Sequence, residues 1–390
     1  MSNYPATVDR RNTNSVKWDV KQDELPMTIA DMDFKTSPAI IKAMQDKLQL
    51  GAFGYEDIPD EYFAAVANWY ATRHGSRPQT NWMIFTTGVV PAISSAVRRL
   101  TSIGDNVLVQ APVYNIFYNS IINSGRHVLS SDLVYSANEH SYAIDWVDLE
   151  AKLADPLTNL MILCNPHNPM GIIWTRKQLI RLAKLCRQYH VMIFSDEIHG
   201  DFTFNDSGYV PMFSLPEDLI QNLEVAVSPS KTFNVAALHA ATVIVPNDNL
   251  RAQVSRGLNS EELAEPNLMA IPGTIAAYQA GGPWLDDVLK AIQKNRQIVW
   301  NFVKERLADR VTVVPGEATY LIWLDISRLT NDSATLAAFI RKRTGLILSA
   351  GAIYGGDGQH FLRMNVACSD KRVLDGLDRL ARGIAEWQKR

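Results

Sequence analysis

Through the middle of the chain, apolar residues fall in short runs that polar or turn-forming residues cut off, with helical spacing in between. Met83-Ile84-Phe85-Thr86-Thr87 reads as a strand that Gly88 ends. The next apolar stretch predicts a helix from near Pro91 to Leu100, because proline is tolerated in a first turn. Val107-Leu108-Val109 predicts a second strand, closing at Ala111-Pro112, and Asn159 to Cys164 a third. Thr175-Arg176-Lys177-Gln178 has the form of a capping box, after which Leu179, Leu182, Ala183 and Cys186 keep helical spacing. Val191 to Phe194, stopping at Ser195-Asp196, is a further strand, and Leu223 to Val227 and Ala241 to Val245 complete the set. Runs that are apolar on both faces and separated by helices argue for a mostly parallel sheet covered on both sides.

From about Gly282 the pattern changes. A long helical stretch, Trp284 to Leu307, leads into strand-like Val311 to Pro315 and Tyr320 to Asp325, and the chain closes with a helix over Lys371 to Gln388. This part reads as a smaller α+β unit. No internal repeat or low-complexity segment interrupts the chain.

In open parallel sheets, ligands bind outside the carboxyl ends of the strands. Gly88, Pro112, Asn165, Asp196 and Ser228 each follow a strand, so five polar or turn-forming positions converge on one edge. Among them lies Ser228-Pro229-Ser230-Lys231-Thr232-Phe233-Asn234. A lysine, an acid and an amide past three different strands are what pyridoxal 5'-phosphate (PLP) needs. The lysine forms an imine with the cofactor aldehyde, the acid pairs with the pyridinium nitrogen, and polar groups hold the ring oxygen.

Lys231 is then the imine-forming residue, and its amine, once displaced, can serve as general base. Asp196 is the ring-nitrogen partner. Glu197 beside it competes for that role, and alternation along an extended segment favours Asp196. His199 either hydrogen-bonds the ring hydroxyl or is structural. Asn168, fixed between prolines, either presents an amide or only makes a turn. Gly88, Val89 and Val90, at a strand-to-helix turn, offer backbone N–H groups to a phosphate, and Ser228 and Ser230 offer hydroxyls. Tyr114 either lies flat on the ring or packs in the core. Arg363, alternating with apolar residues in Phe361 to Val366, either faces solvent or clamps a substrate carboxylate.

Composition narrows the setting. Of 390 residues, 47% are hydrophobic and 20% charged, enough to bury a large core in two or three units. The net charge of −3, without a basic block, argues against a nucleic acid partner. No run is long enough to span a membrane, and the polar start, Met1 to Arg11, lacks the apolar core of a signal peptide. The three cysteines, 164, 186 and 368, have neither metal-ligand spacing nor an even count. No metal is expected, and a reducing cytoplasm is the expected location.

Several segments resemble fold type I PLP enzymes of the aminotransferase class I/II superfamily, and within it the MalY/PatB-type C–S lyases (cystathionine β-lyase-like). They are Ala30-Asp31-Met32-Asp33-Phe34, Phe53-Gly54-Tyr55, Thr87 to Pro91, Asn165 to Gly171 with Trp174, Asp196 to His199, Ser230 to Asn234, and Arg363 with Asn365. The resemblance implies an α/β fold: a large domain with a mostly parallel seven-stranded sheet plus a smaller α+β domain. The expected division is 1–50 as an N-terminal arm and part of the small domain, 51–282 as the PLP-binding domain, and 283–390 as the small domain.

It also implies Lys231 on the cofactor aldehyde, Asp196 on the ring nitrogen, Asn168 and His199 near the ring hydroxyl, and Tyr114 stacked as a catalytic partner. Ala30, Asp31 and Arg363 would meet the substrate. Tyr55 would reach the phosphate of a neighbouring subunit, so a homodimer with shared sites is expected. The implied reaction is β-elimination from cystathionine- or cysteine-type amino acids to pyruvate, ammonia and a thiol. Transamination, or an added regulatory protein-binding role, is the alternative. Two positions depart from the aminotransferase pattern: His239 stands where many carry a phosphate-binding arginine, and Met170 replaces a common threonine.

Overall fold

The computed structural model describes residues 5–204 and 208–390. Residues 1–4 of the expected arm, and 205–207 of the expected large domain, lie outside the described residues.

Seven strands form one sheet: β1 (Met83–Thr86), β2 (Asn106–Val109), β3 (His127–Ser130), β4 (Thr158–Cys164), β5 (Met192–Asp196), β6 (Leu223–Val227) and β7 (Ala241–Ile244). Their order is β1-β7-β6-β5-β4-β2-β3. β7 runs antiparallel to both neighbours, and the other pairings are parallel. Since β7 opposes both β1 and β6, those two share a direction, and the carboxyl ends of β1 to β6 lie along one edge. The pattern of apolar runs missed β3, an edge strand whose residues are exposed or half-buried and so carry little apolar signal.

Alternation sends neighbouring side chains to opposite faces. Val107, Val109, Leu160, Ile162, Cys164, Phe194 and Ala226 pack on one face with the helix Val89–Leu100. Leu108, Met161, Leu163, Ile193, Val225 and Val227 pack on the other. Both faces are covered, which is why these strands read as continuous apolar runs.

Two expected boundaries are corrected. The helix expected from near Pro91 begins at Val89, directly after Gly88, and takes Pro91 into its first turn. The strand expected over Val311 to Pro315 shortens to Thr312–Val313. There the Val311 N–H returns to the carbonyl of Leu307, and proline has no N–H to donate. The capping box at Thr175 and Gln178 forms as expected.

A second, four-stranded antiparallel sheet contains Leu321–Asp325 and Phe361–Asn365, flanked by the helices Gly282–Arg306 and Asp370–Trp387. The N-terminal strand Leu25–Pro26 pairs with Leu346–Ile347. Near the site the two sheets meet through glycine. A Cβ on Gly171 would collide with the carbonyl of Ala318, and one on Gly316 with the carbonyl of Met170. The loop that carries Asn168 can therefore sit backbone to backbone against the segment leading into the second sheet.

Candidate active site

A cavity of about 270 Å³ opens at the carboxyl edge of the large sheet. Lys231, Asp196, Asn168, His199 and Tyr114 line it, from four different strand ends. Gly88, Val89 and Val90 form another wall with Ser230, and Ala30 enters from the N-terminal segment. Wider clefts exist elsewhere, such as one of about 640 Å³ beside Trp284, but no strand ends converge on them.

Lys231 lies in a single helical turn, Pro229–Thr232. Ser228 caps that turn by accepting from the Ser230 N–H, while Pro229 fixes its first residue. The Lys231 Nζ donates to the carbonyl of Ala30 at 2.7 Å. Burial lowers the lysine pKa from its ordinary value, and Arg363 acts in the same sense, against Asp31 and Asp196. Behind the turn, the Thr232 hydroxyl donates to Asp201 at 2.7 Å, and Asp201 also bonds His74 Nε2 (2.8 Å) and Trp69 Nε1 (3.0 Å). This buried anchor had no sequence signal, because Asp201 meets partners 31, 127 and 132 residues away.

The two adjacent acids separate as alternation requires. Asp196 shares the face of Phe194 and lines the cavity. Burial pushes its pKa up to about 6, opposed by the Ile198 N–H and the Lys231 charge. Glu197 faces the other way with Ser195. It accepts from the hydroxyls of Ser195 (2.7 Å) and Tyr209, from the Met212 N–H (3.0 Å) and from Asn165 Nδ2 (3.2 Å). It ties together the loops that follow β4 and β5.

His199 is buried, and its Nδ1 has no partner among the described residues. Burial, with the charges of Lys231 and Arg363, lowers its pKa to about 3, so the imidazole is neutral. Burial raises the Tyr114 pKa above its ordinary value, which keeps the phenol protonated. At the wall formed by Gly88 and Val90, the helix Val89–Leu100 begins without a side-chain cap, leaving N–H groups for an anion.

Other expected residues lie off this wall. Arg363 is buried beside it and donates to Asn168 Oδ1 (3.1 Å) and the Thr28 carbonyl (3.3 Å), while its Nε has no partner among the described residues. The bond turns the Asn168 oxygen to Arg363 and leaves its amide N–H groups for another acceptor. The Ser228 hydroxyl is turned to the Ala240 carbonyl (2.7 Å), and Tyr55 is fully exposed. Asp31, next in the chain to the cavity-lining Ala30, is half-buried and paired with Arg10 at 2.5 Å. Thr87, Cys164, Ile198, Ala236 and His239 also line the cavity. Of these, the sequence had marked His239 as a departure from the aminotransferase pattern and Cys164 as one of three cysteines; Thr87 and Ile198 fell inside family-like segments without a role, and Ala236 carried no signal.

This donor set suits a phosphorylated pyridine aldehyde: an amine of lowered basicity, a buried carboxylate, neutral donors for a ring oxygen, and a helix N-terminus for a phosphate. Residues 22–380 match the aminotransferase class I and II family model. The chain belongs to the aminotransferase class I and II family. Among its relatives in the family, cystathionine beta-lyase PatB of Bacillus subtilis (strain 168) is 39% identical, over 98% of this chain and 100% of that protein. Protein MalY of Escherichia coli (strain K12) is 32% identical, over 98% and 99% of the two chains. The crystal structure of cystalysin from Treponema denticola, which contains a pyridoxal 5'-phosphate cofactor, superposes with a TM-score of 0.94 at 29% identity, covering 99% of each chain. Among the described residues, no helix is long and apolar enough to cross a membrane, and no cluster of side chains could hold a metal ion.

Proposed function

We propose that this chain is a PLP-dependent carbon–sulfur lyase, which converts cystathionine- or cysteine-type amino acids to pyruvate, ammonia and a thiol. The observation that carries the reading is the convergence of Lys231, Asp196 and Asn168 on one cavity, in a chain whose relatives include a cystathionine beta-lyase at 39% identity.

When bound, PLP supplies an aldehyde that condenses with amines and a ring that accepts the electron pair released at the substrate α-carbon. Lys231 would hold the cofactor through its Nζ, and the same amine, of lowered basicity, would be the group placed to take the α-proton. Asp196 would pair with the ring nitrogen and favour its protonated form. Asn168 and His199 orient the ring oxygen, and Tyr114 covers the ring face. The N–H groups of Val89 and Val90, with Ser230, receive the phosphate, while Ser228 positions that turn through its cap. Arg363 binds the substrate carboxylate, oriented by its bond to Asn168.

The division into 1–50, 51–282 and 283–390 fits this reading, with the substrate carboxylate held from the second sheet and the cofactor from the first. Phe53 and Tyr55 project far into solvent, which suits a homodimer in which Tyr55 reaches the partner's phosphate site. The three cysteines are buried and free, which fits a reducing cytoplasm.

The test is incubation with L-cystathionine and no keto acid, measuring pyruvate. Pyruvate formation is expected. Its absence, with amino transfer to an added keto acid, would make the protein an aminotransferase instead.

A further inference from the structure

We propose that Arg10 and Asp31 form a receptor for the far head group of a substrate with two amino-acid ends, and so select thioether diamino acids over simple S-alkyl cysteines. The proposal rests on the lyase reading and names the substrate class of that same site.

Its geometry comes from the segment Thr28 to Asp31. At one end, Arg363 Nη2 donates to the Thr28 carbonyl at 3.3 Å. Further along, Asn365 Nδ2 donates to the carbonyls of Ile29 (2.5 Å) and Asp31 (2.9 Å). The segment thus runs beside Arg363–Asn365, with the proposed α-carboxylate clamp at one end and Asp31 at the other. Three residues of chain span at most about 10 Å, and the 2.8 Å bond from the Asp31 N–H to the Ile29 carbonyl shortens that reach. The Ala30 carbonyl touches Lys231 Nζ at 2.7 Å, so residue 31 lies immediately past the reacting amine. The Arg363 contact at Thr28, the Lys231 contact at Ala30 and the Asp31 carboxylate therefore succeed one another along this segment, with Arg363 and Asp31 both close enough to act on the Lys231 charge.

The charges at the far end are complementary to an amino-acid head group. Arg10 Nη1 meets Asp31 Oδ2 at 2.5 Å, with the side chains 32% and 24% exposed. A substrate ammonium can join Asp31 while the carboxylate on the same carbon joins Arg10, in charge-assisted bonds. A neutral alkyl group gains nothing from this pair and covers two charges without replacing their water. A pair this exposed contributes little to folding. The backbone beneath it is nevertheless held firmly. Buried Lys17 donates to the Asp31 carbonyl and to Asp33, each at 2.9 Å, and Asn234 bonds both the N–H and the carbonyl of Met32 at 3.1 Å. The receptor is thus preorganised. Arg11, next in sequence, turns away to the carbonyls of Lys21 and Glu24.

The experiment compares L-cystathionine with S-propyl-L-cysteine, which lacks the far head group, using wild-type holoenzyme and the Arg10→Gln, Arg10→Lys and Asp31→Asn variants. Dissociation constants are read from the change in the cofactor's visible band on mixing, and kcat/KM from pyruvate release. Arg10→Gln is expected to weaken cystathionine binding about tenfold or more, with S-propyl-L-cysteine changed by less than about twofold. Arg10→Lys should restore part of the loss. Asp31→Asn should show the same selectivity, on top of any shared loss caused by its closeness to Lys231. Equal losses for both thioethers in Arg10→Gln, or no loss for either, would overturn the receptor. If wild type releases no pyruvate from either thioether, the lyase reading fails, while the ratio of binding constants still decides the receptor.

Discussion

Asp196 and Glu224 are buried acids on the same sheet face, on neighbouring strands, yet only one belongs to the site. The register pairs Asp196 with Ala226 and Phe194 with Glu224, so Glu224 lies two residues deeper, roughly 7 Å at strand rise. At the carboxyl edge, Asp196 lines the cavity near the charge of Lys231, and its pKa rises only to about 6. Below, beside its register partner Phe194 on that apolar face, both Glu224 oxygens lack a partner among the described residues. Burial alone pushes its pKa up to about 8. Two residues of depth therefore separate a carboxylate that Lys231 and the Ile198 N–H help keep charged from one that burial alone pushes toward its protonated form. Burial supplies the perturbation in both; access to a counter-charge and a cavity decides which acid can do chemistry.

The largest expected effect comes from removing that counter-charge and reactive amine. Lys231→Ala should erase the cofactor's lysine-linked visible band and lower pyruvate release by about a thousandfold or more. Survival of the band would remove Lys231, and with it the distinction of Asp196, from the site. Next, Asp196→Asn should lower kcat by about 10²–10³ with the fold intact, since an amide cannot hold the ring-nitrogen proton by charge. A loss confined to the melting temperature would make Asp196 as structural as Glu224.

Glu197→Gln sharpens the contrast from the other face. A glutamine has one oxygen for the four donors that Glu197 accepts, so thermal unfolding should show a loss of about 1–3 kcal/mol, with kcat changed far less than in Asp196→Asn. The smallest effect at neutral pH is expected from Glu224→Gln. The folded pKa of Glu224, about 8, lies above its ordinary 4.5. Its contribution to stability is therefore fully present below about pH 4.5 and is lost as pH rises through about 8. The unfolding free energy from urea titrations should fall between about pH 5 and 8 in wild type, by up to about 1.4 kcal/mol per pH unit, and less steeply in Glu224→Gln. Parallel declines would mean that Glu224 is not the group being titrated.

Much of this could be read from the chain. Strands buried on both faces write their position as short apolar runs, and six of the seven sheet strands were visible that way. The exception, His127–Ser130, is an edge strand whose residues are not fully buried. Lys231, Asp196, Asn168 and His199 were legible because each lies at, or within four residues of, the carboxyl end of a strand. Alternation also favoured Asp196 over Glu197, and the two side chains do face opposite ways. The Asp201–His74–Thr232 anchor was not legible, nor was Glu224, which reads in sequence as one more strand residue.

The sequence by itself determined the sheet, its reactive edge and the types of group presented there, because strand periodicity and strand-end chemistry are local. Tertiary structure alone decided which of those groups share a cavity and which are satisfied elsewhere. It turned the Ser228 hydroxyl to a carbonyl, the Asn168 oxygen to Arg363, and Asp31 to Arg10. Those choices depend on partners 12, 195 and 21 residues away, and no local pattern encodes such distances. Depth in the core, which separates Asp196 from Glu224, exists only once the strands are in register.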